Sequence, residues 1–319
     1  MHHDNELRDS RRQCSAAMAQ AALICLLMVL LVAPRLAGAA ESTLQKLRAA
    51  GELRIGFRTS AVPFSYSVPG TAAPTGYAVE LCQLIAGRLQ QELKPARLEI
   101  KFVAADGQDR FDALKQGKID LECGNTTNTR ERRDKQGFAF SIPYFITGTR
   151  LLVHTSSNIQ GAADLRGRAV AVIKNTTGAA QLQKEDQNRS LALRYVEIDT
   201  RAKAFELLQA NKVDAFLQDD VVLYNVRSTA GAPKDYAIVN KFLTIEPLAI
   251  MFRSEDVELK RFADMQISRM IDSGEFSALY AKWFERPIPP KDLNFDMPMN
   301  YLMRDFLRFP TDKLSMLPE

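Results

Sequence analysis

Apolar and polar residues along this chain alternate with two periods, and the switching between them predicts a repeated order of strands and helices. Leu53 to Phe57 alternates as a short strand, and Gly76 to Gln91 follows with Val79, Leu81, Cys82, Leu84, Ile85 and Leu89 at helical spacing. Leu98 to Val103 predicts a second strand, Arg110 to Gln116 a short helix ended by Gly117, and Ile119 to Cys123 a third strand. A comparable series begins at Leu151 to His154, which is extended, and passes through a turn at Asp164 to Arg168. Ala169 to Ile173 predicts a strand, Asn175 to Thr177 opens a helix through Lys184, and Leu193 to Ile198 is again a strand. Thr200 to Ala210 is helical, Val213 to Leu217 is a strand, and Asp219-Asp220 leads into another helix. Past Lys241 come an extended piece, Leu248 to Phe252, an amphipathic helix from Val257 to Ser273, and a last helix, Glu275 to Phe284, with the only tryptophan, Trp283. The alternation is that of an α/β protein with helices over a mostly parallel sheet. Two such units with a cleft between them, the second inserted into the first, account for the order.

The first 40 residues stand outside this pattern. Arg8, Arg11 and Arg12 precede a charge-free run densest from Ala21 to Val32, and Ala37-Gly38-Ala39-Ala40 follows it. That is the form of a secretory signal peptide cleaved after Ala39 or Ala40. The dense run is short of the roughly 20 residues a spanning helix needs. No small-residue triplet precedes Cys14 or Cys25, so a lipid-anchored cysteine is not expected. Of 42 basic and 38 acidic residues, four and three fall in this segment, leaving 38 and 35. So small an excess, spread along the chain, argues against a nucleic-acid partner. His154 is the one histidine beyond the segment, which removes most nucleophilic triads and nearly all zinc sites. Cys82 and Cys123 both sit in apolar patterns and read as small buried hydrophobes, with pairing in an oxidising compartment as the alternative.

Ligands of this fold class sit where strands end and the next loop begins. The polar residues at those places are Arg58, Arg110, Asn125, Thr126, Thr127, Arg132, Asn175, Thr176, Thr177 and Asp219. Arginine presents a planar fork to a carboxylate, and threonine hydroxyls with free helix-start N–H groups hold an anion without adding charge. Asp219 would face an ammonium. Together they suit the two ends of a free amino acid. Each also has a plainer explanation: arginines are commonly solvated, and Thr176, Thr177 and Asp219 could simply cap helices. The pattern places no histidine and no second carboxylate facing such a ligand.

Several segments are specific enough to carry a family resemblance: RTSAVPFSY (Arg58–Tyr66), GYAVEL (Gly76–Leu81), GQDRFDALKQGKIDLECGNTTN (Gly107–Asn128), FITGTRLL (Phe145–Leu152), DAFLQDD (Asp214–Asp220) and KWFERPIPPKDLN (Lys282–Asn294). From about Leu44 to Lys313 the chain resembles the extracellular solute-binding proteins of polar amino-acid uptake, in their glutamate/aspartate subgroup. The resemblance implies a two-lobed periplasmic-binding-protein type II fold, each lobe a mixed sheet flanked by helices. It implies lobe 1 at 41–147 and 246–319, with lobe 2 inserted at 148–245, and hinge crossovers near Thr147–Arg150 and Leu243–Pro247.

By the same resemblance Thr127, Arg132 and Thr177 hold the ligand's α-carboxylate, Asp219 its α-ammonium, and Arg58 and Arg110 its side-chain carboxylate. The chain departs from the family at Ala78, where an acidic residue is usual, and at Asn125, where the subgroup has serine. It departs again at Arg201, where the subgroup has a histidine near the side-chain carboxylate, and its arginine segment after Asn128 is about two residues longer. The implied activity is capture of L-glutamate or L-aspartate in the periplasm by a monomer that delivers it to the membrane subunits of an ABC permease. No catalytic residue, metal or cofactor is expected. Two other readings are a periplasmic enzyme on this scaffold, of the cyclohexadienyl-dehydratase kind, and a ligand sensor for a receptor.

Overall fold

The computed structural model describes residues 43–93, 98–173, 177–198, 201–290 and 292–313, with the side chains of Lys46 and Thr177 outside that set. The expected signal segment, the expected helix start at Asn175 and Thr176, and the Thr177 side chain therefore lie outside the described residues.

After a short helix α1 (Thr43–Ala50), strand β1 (Glu52–Phe57) alternates as its sequence predicts and enters the core. A small hairpin of β2 (Ser60–Ala61) and β3 (Ser65–Tyr66) leads to helix α2 (Tyr77–Leu93), which buries Val79, Leu81, Cys82, Ile85 and Leu89. Strand β4 (Glu99–Ala104), helix α3 (Asp109–Lys115), strand β5 (Leu121–Glu122), helix α4 (Arg130–Asp134) and strand β6 (Phe138–Phe140) follow. Next come β7 (Phe145–Thr147) and β8 (Thr149–His154), then β9 (Ala169–Ile173), helix α5 (Thr177–Arg189), β10 (Arg194–Ile198), helix α6 (Arg201–Gln209), β11 (Ala215–Asp219), helix α7 (Asp220–Ser228) and β12 (Tyr236–Ile238). The chain returns through β13 (Glu246–Leu248) and β14 (Met251–Arg253) and ends in helices α8 (Val257–Ser273), α9 (Glu275–Phe284) and α10 (Tyr301–Phe306).

These strands form two five-stranded mixed sheets, ordered β4-β1-β5-β14-β6 and β10-β9-β11-β8-β12. In each, the first three strands of that order run parallel, the fourth joins antiparallel, and the fifth pairs antiparallel with the fourth. The chain passes between them twice. It leaves the first sheet through β7 and returns through β13, and these two strands pair antiparallel, Glu246 opposite Thr147. Gly148 lies between β7 and β8, where a Cβ would stand 1.9 Å from the Thr244 carbonyl oxygen. Only glycine lets the two crossovers approach so closely.

An aromatic cluster fills the first core, with the Phe145 ring stacked on Phe284 at 4.8 Å and Tyr280 stacked on Phe284 at 4.5 Å. Each such side chain contributes about 1.5–3 kcal/mol by burial, so this cluster is a main source of cohesion for the first sheet. Helix α9 is tied to α2 by Glu80, whose carboxylate accepts the Lys282 ammonium and the Trp283 indole N–H, both at 2.7 Å. The expectation that Cys82 and Cys123 remain separate small hydrophobes is corrected: both are buried, and they form a disulfide with Cα atoms 6.4 Å apart. Packing the apolar face of α2 over β5 brings the two thiols into bonding range, which their sequence patterns do not reveal.

Two strand boundaries also differ from expectation. The strand expected at Val213–Leu217 lies two residues later, so that Asp219 is its last residue, and Leu248–Phe252 divides into β13 and β14. His154 is structural, with Nε2 2.8 Å from the Leu208 carbonyl and its ring against Tyr236. Among the described residues no cluster of acidic, histidine and cysteine side chains could hold a metal, and no helix is long and apolar enough to cross a membrane.

Candidate functional site

The segments that follow β1, β4 and β5 bring three guanidinium side chains together. Arg58 follows β1, and its backbone N–H donates to Ser65 Oγ at 2.8 Å. Its Nε donates to Asp106 at 3.0 Å and its Nη1 to Asn125 Oδ1 at 3.1 Å, so the fork is held before any ligand arrives. Burial alone would raise the Asp106 carboxyl, but hydrogen bonds from Thr59 and the charge of Arg58 outweigh it and hold the group below its ordinary value. Arg110, in the first turn of α3, donates from Nε to Thr126 Oγ at 2.9 Å and also reaches the Gly107 carbonyl. Arg132 sits on α4, whose start is capped by Thr129 Oγ accepting the Arg132 N–H at 3.2 Å. Its Nη1 donates to the Thr127 carbonyl at 2.5 Å.

Phe111 gathers two of these cations. The Arg110 guanidinium carbon lies 4.2 Å from its ring centroid and that of Arg132 lies 5.0 Å away. Burial pushes Arg110 down to about 10 and lowers Arg132 as well, while the Glu122 carboxylate acts against both shifts. Glu122 is completely buried behind the group. Burial raises its carboxyl, against a hydrogen bond from Thr126 and the charges of Arg110, Arg58 and Arg132. Gly124 is required beside it, because a Cβ there would meet Glu122 Oε1 at 2.1 Å and Arg58 Cγ at 2.6 Å.

The second sheet contributes Asp219, at the end of β11. Its side chain makes no capping bond to α7, so the helix-cap explanation has no support. Asp220 turns inward instead, accepting the Thr147 hydroxyl at 2.7 Å and the Val221 N–H at 2.8 Å. Burial raises Asp219 to about 7; Glu246 and Asp220 add to the rise, and Arg201 and a hydrogen bond from Thr149 oppose it. Arg201 is exposed at the start of α6, where it lines a groove of about 360 Å³ with Val62, Phe205 and Val222.

Thr127 lies where the two sheets meet the crossovers. Its backbone bridges to Leu248, and its hydroxyl donates to Glu246 Oε2 at 3.2 Å. Glu246 is thus a carboxylate near Thr127 that the sequence reading did not single out. The charge of Glu246 opposes the lowering of Arg132 and adds to the rise of Asp219. Sequence pattern did not reveal it because it belongs to the crossover and not to a strand end of either sheet. A charged residue inside the otherwise apolar TIEPLAI segment (Thr244–Ile250) was the available signal. The arrangement as a whole offers cationic forks with hydroxyls, backed by Asp106 and Glu122, together with the carboxylates of Asp219 and Glu246, and no nucleophile–base pair among the described residues that it brings together.

The profile of the bacterial extracellular solute-binding proteins, family 3, matches residues 53–286. The L-glutamate/L-aspartate-binding protein of Pseudomonas aeruginosa is 31% identical over 286 residues, covering 90% of this chain and 94% of its own. A glutamate/aspartate import solute-binding protein of Salmonella typhimurium is 34% identical over 277 residues, covering 87% of this chain and 91% of its own. The crystal structure of the L-cystine solute receptor of Neisseria gonorrhoeae, in an unliganded open conformation, superposes with a TM-score of 0.63 at 19% identity, over 79% of this chain and 99% of that one. That last likeness concerns the fold, which is the two-lobed type II arrangement.

Proposed function

Since the chain belongs to the bacterial extracellular solute-binding proteins, family 3, we propose that it captures an acidic amino acid, L-glutamate or L-aspartate, and delivers it to the membrane subunits of an ABC importer. It is a binding protein and not an enzyme. The observation that carries the ligand class is the charge count of the cleft. One guanidinium, Arg132, suffices for an α-carboxylate, so Arg110, whose hydrogen bonds go to the neutral oxygens of Thr126 and Gly107, and Arg58, which Asp106 engages through Nε, call for a second anionic group on the ligand.

In this reading Arg132 holds the α-carboxylate with Thr127, whose hydroxyl turns from Glu246 to the ligand on binding, joined from the second lobe by Thr177, and Asp219 takes the α-ammonium. Arg58 and Arg110 hold the side-chain carboxylate, with Arg201 and Asn125 shaping that end. Asp106 and Asn125 fix the Arg58 fork in advance, which lowers the ordering cost of binding. Lobe 1 comprises 41–147 and 246–319, lobe 2 comprises 148–245, and closure turns on the crossovers at β7–β8 and β13. The disulfide supports an oxidising compartment, as the periplasm is, reached through the signal segment at 1–40.

A thermal-shift screen of acidic, neutral and basic amino acids, followed by titration of Arg132→Ala, tests the assignment. The acidic pair should raise Tm most. The variant should lose roughly a hundredfold in affinity, the scale of a charge-assisted hydrogen-bonded pair with its burial penalty. Equal stabilisation by basic amino acids would refute it.

A further inference from the structure

Three threonine hydroxyls join two carboxylates at the double crossover. Thr127 donates to Glu246 Oε2 at 3.2 Å. Thr244 Oγ lies 3.4 Å from Glu246 Oε1 and 3.0 Å from Thr149 Oγ, and it accepts the Thr149 N–H at 2.9 Å. Thr149 in turn stands opposite Asp219 in the pairing of β8 with β11. The strand register explains the convergence. Glu246 pairs with Thr147 and Asp219 pairs with Thr149, so the two acids flank the same chain segment from opposite edges, two residues apart. The row thus begins at Thr127 beside the first sheet and ends at Asp219 on the second.

Carboxylates brought together repel, and a cation placed between them relieves the repulsion. The third acid nearby does not serve: Asp220 is buried and accepts bonds from Thr147 and Val221, with Arg150 3.9 Å away. An ammonium has three N–H donors and no acceptor, which suits two carboxylates and adjacent hydroxyls. Arg132 Nη1 donates to the Thr127 carbonyl and the Thr127 hydroxyl donates to Glu246, so an ammonium held by Glu246 and Asp219 would leave the ligand's α-carboxylate within reach of that guanidinium. Resting on the acidic amino-acid reading above, we propose that Glu246 is a second ammonium anchor, paired with Asp219 across the crossovers. It would make the cleft select amino acids over dicarboxylates that lack an amine.

The test is calorimetric titration of the wild-type protein, Glu246→Gln and Glu246→Asp, each with L-glutamate and with glutarate, which differs by the missing amine. Wild type should prefer L-glutamate. Glu246→Gln should lose roughly tenfold or more for L-glutamate, the scale of one charge-assisted contact, while glutarate binds as before or more tightly. Glu246→Asp keeps the charge at shorter reach, so its loss should be smaller and again confined to L-glutamate; it carries the test if the glutamine variant does not fold. Equal losses for both ligands would reduce Glu246 to a hinge support, and an unchanged L-glutamate affinity would leave it no part in binding; either result overturns the proposal. Glutarate bound by wild type as tightly as L-glutamate would instead overturn the ligand reading, and the proposal with it.

Discussion

Asp219 is the residue on which the chemistry of the cleft turns. Burial, with Glu246 and Asp220 nearby, raises its carboxyl from 3.8 to about 7. A carboxyl raised in the folded state favours the folded, ligand-free protein at low pH, and that contribution is lost as pH rises from about 4 through 7. Ligand capture has the opposite sign, because an ammonium needs the ionised form. L-Glutamate affinity should therefore weaken below pH 7, by up to about tenfold per pH unit, and binding near pH 6 should release a proton. Calorimetry at pH 6 in two buffers of different ionisation enthalpy measures that release, and Asp219→Asn should abolish it. Zero release by the wild type would mean that Asp219 does not meet the ammonium. Asp219 was legible in the sequence because it ends a strand. Glu246 was not, since Thr127, whose hydroxyl it accepts, comes from a segment more than a hundred residues away that only the fold brings to it.

At the scale of elements, the residue after β1 and the helices α3 and α4 carry the cations, and a buried disulfide fixes the strand end beside them. The disulfide joins α2 to the residue after β5, one position from Glu122, and closes a span of 41 residues. Loop-closure entropy sets its contribution at about 4 kcal/mol at most. The Cys82→Ala/Cys123→Ala double variant should melt well below the wild type under oxidising conditions, and reduction should lower Tm of the wild type alone. A variant melting at the wild-type temperature would show that packing of α2 suffices. Helices α2 and α8 and the inner strands were readable from hydrophobic period, because each buries one continuous face. Short pieces such as β7, β13 and α10 were not, since elements of three to six residues carry too little period to register. They are the pieces that govern the crossovers. Asn300, capping α10 through Met303 N–H at 2.9 Å, also donates to the Ile146 carbonyl of β7 at 2.8 Å. Asn300→Ala should cost about 1 kcal/mol or more from the lost cap, read as a lower midpoint in chemical denaturation; an unchanged midpoint would deny the cap any part in stability.

For the whole molecule, two mixed sheets are joined by paired crossovers, and in the proposed function these carry the hinge that brings the cation group and Asp219 together. That architecture was legible from the order of elements, whereas the balance of charge across the cleft emerged only with the buried Glu122 and the crossover Glu246. The account predicts that selectivity follows this balance: three guanidinium groups against a ligand with two carboxylates. The most direct measurement is calorimetric titration of the protein, unfolded and refolded to remove carried-over ligand, with L-glutamate and with L-glutamine. These ligands differ only in the charge of the side-chain end. Tight binding of L-glutamate with L-glutamine weaker by roughly a hundredfold, the scale of unpairing a buried guanidinium, is the predicted result. Equal affinity for the two would contradict the assignment of Arg58 and Arg110 to a second carboxylate, and with it the acidic ligand class.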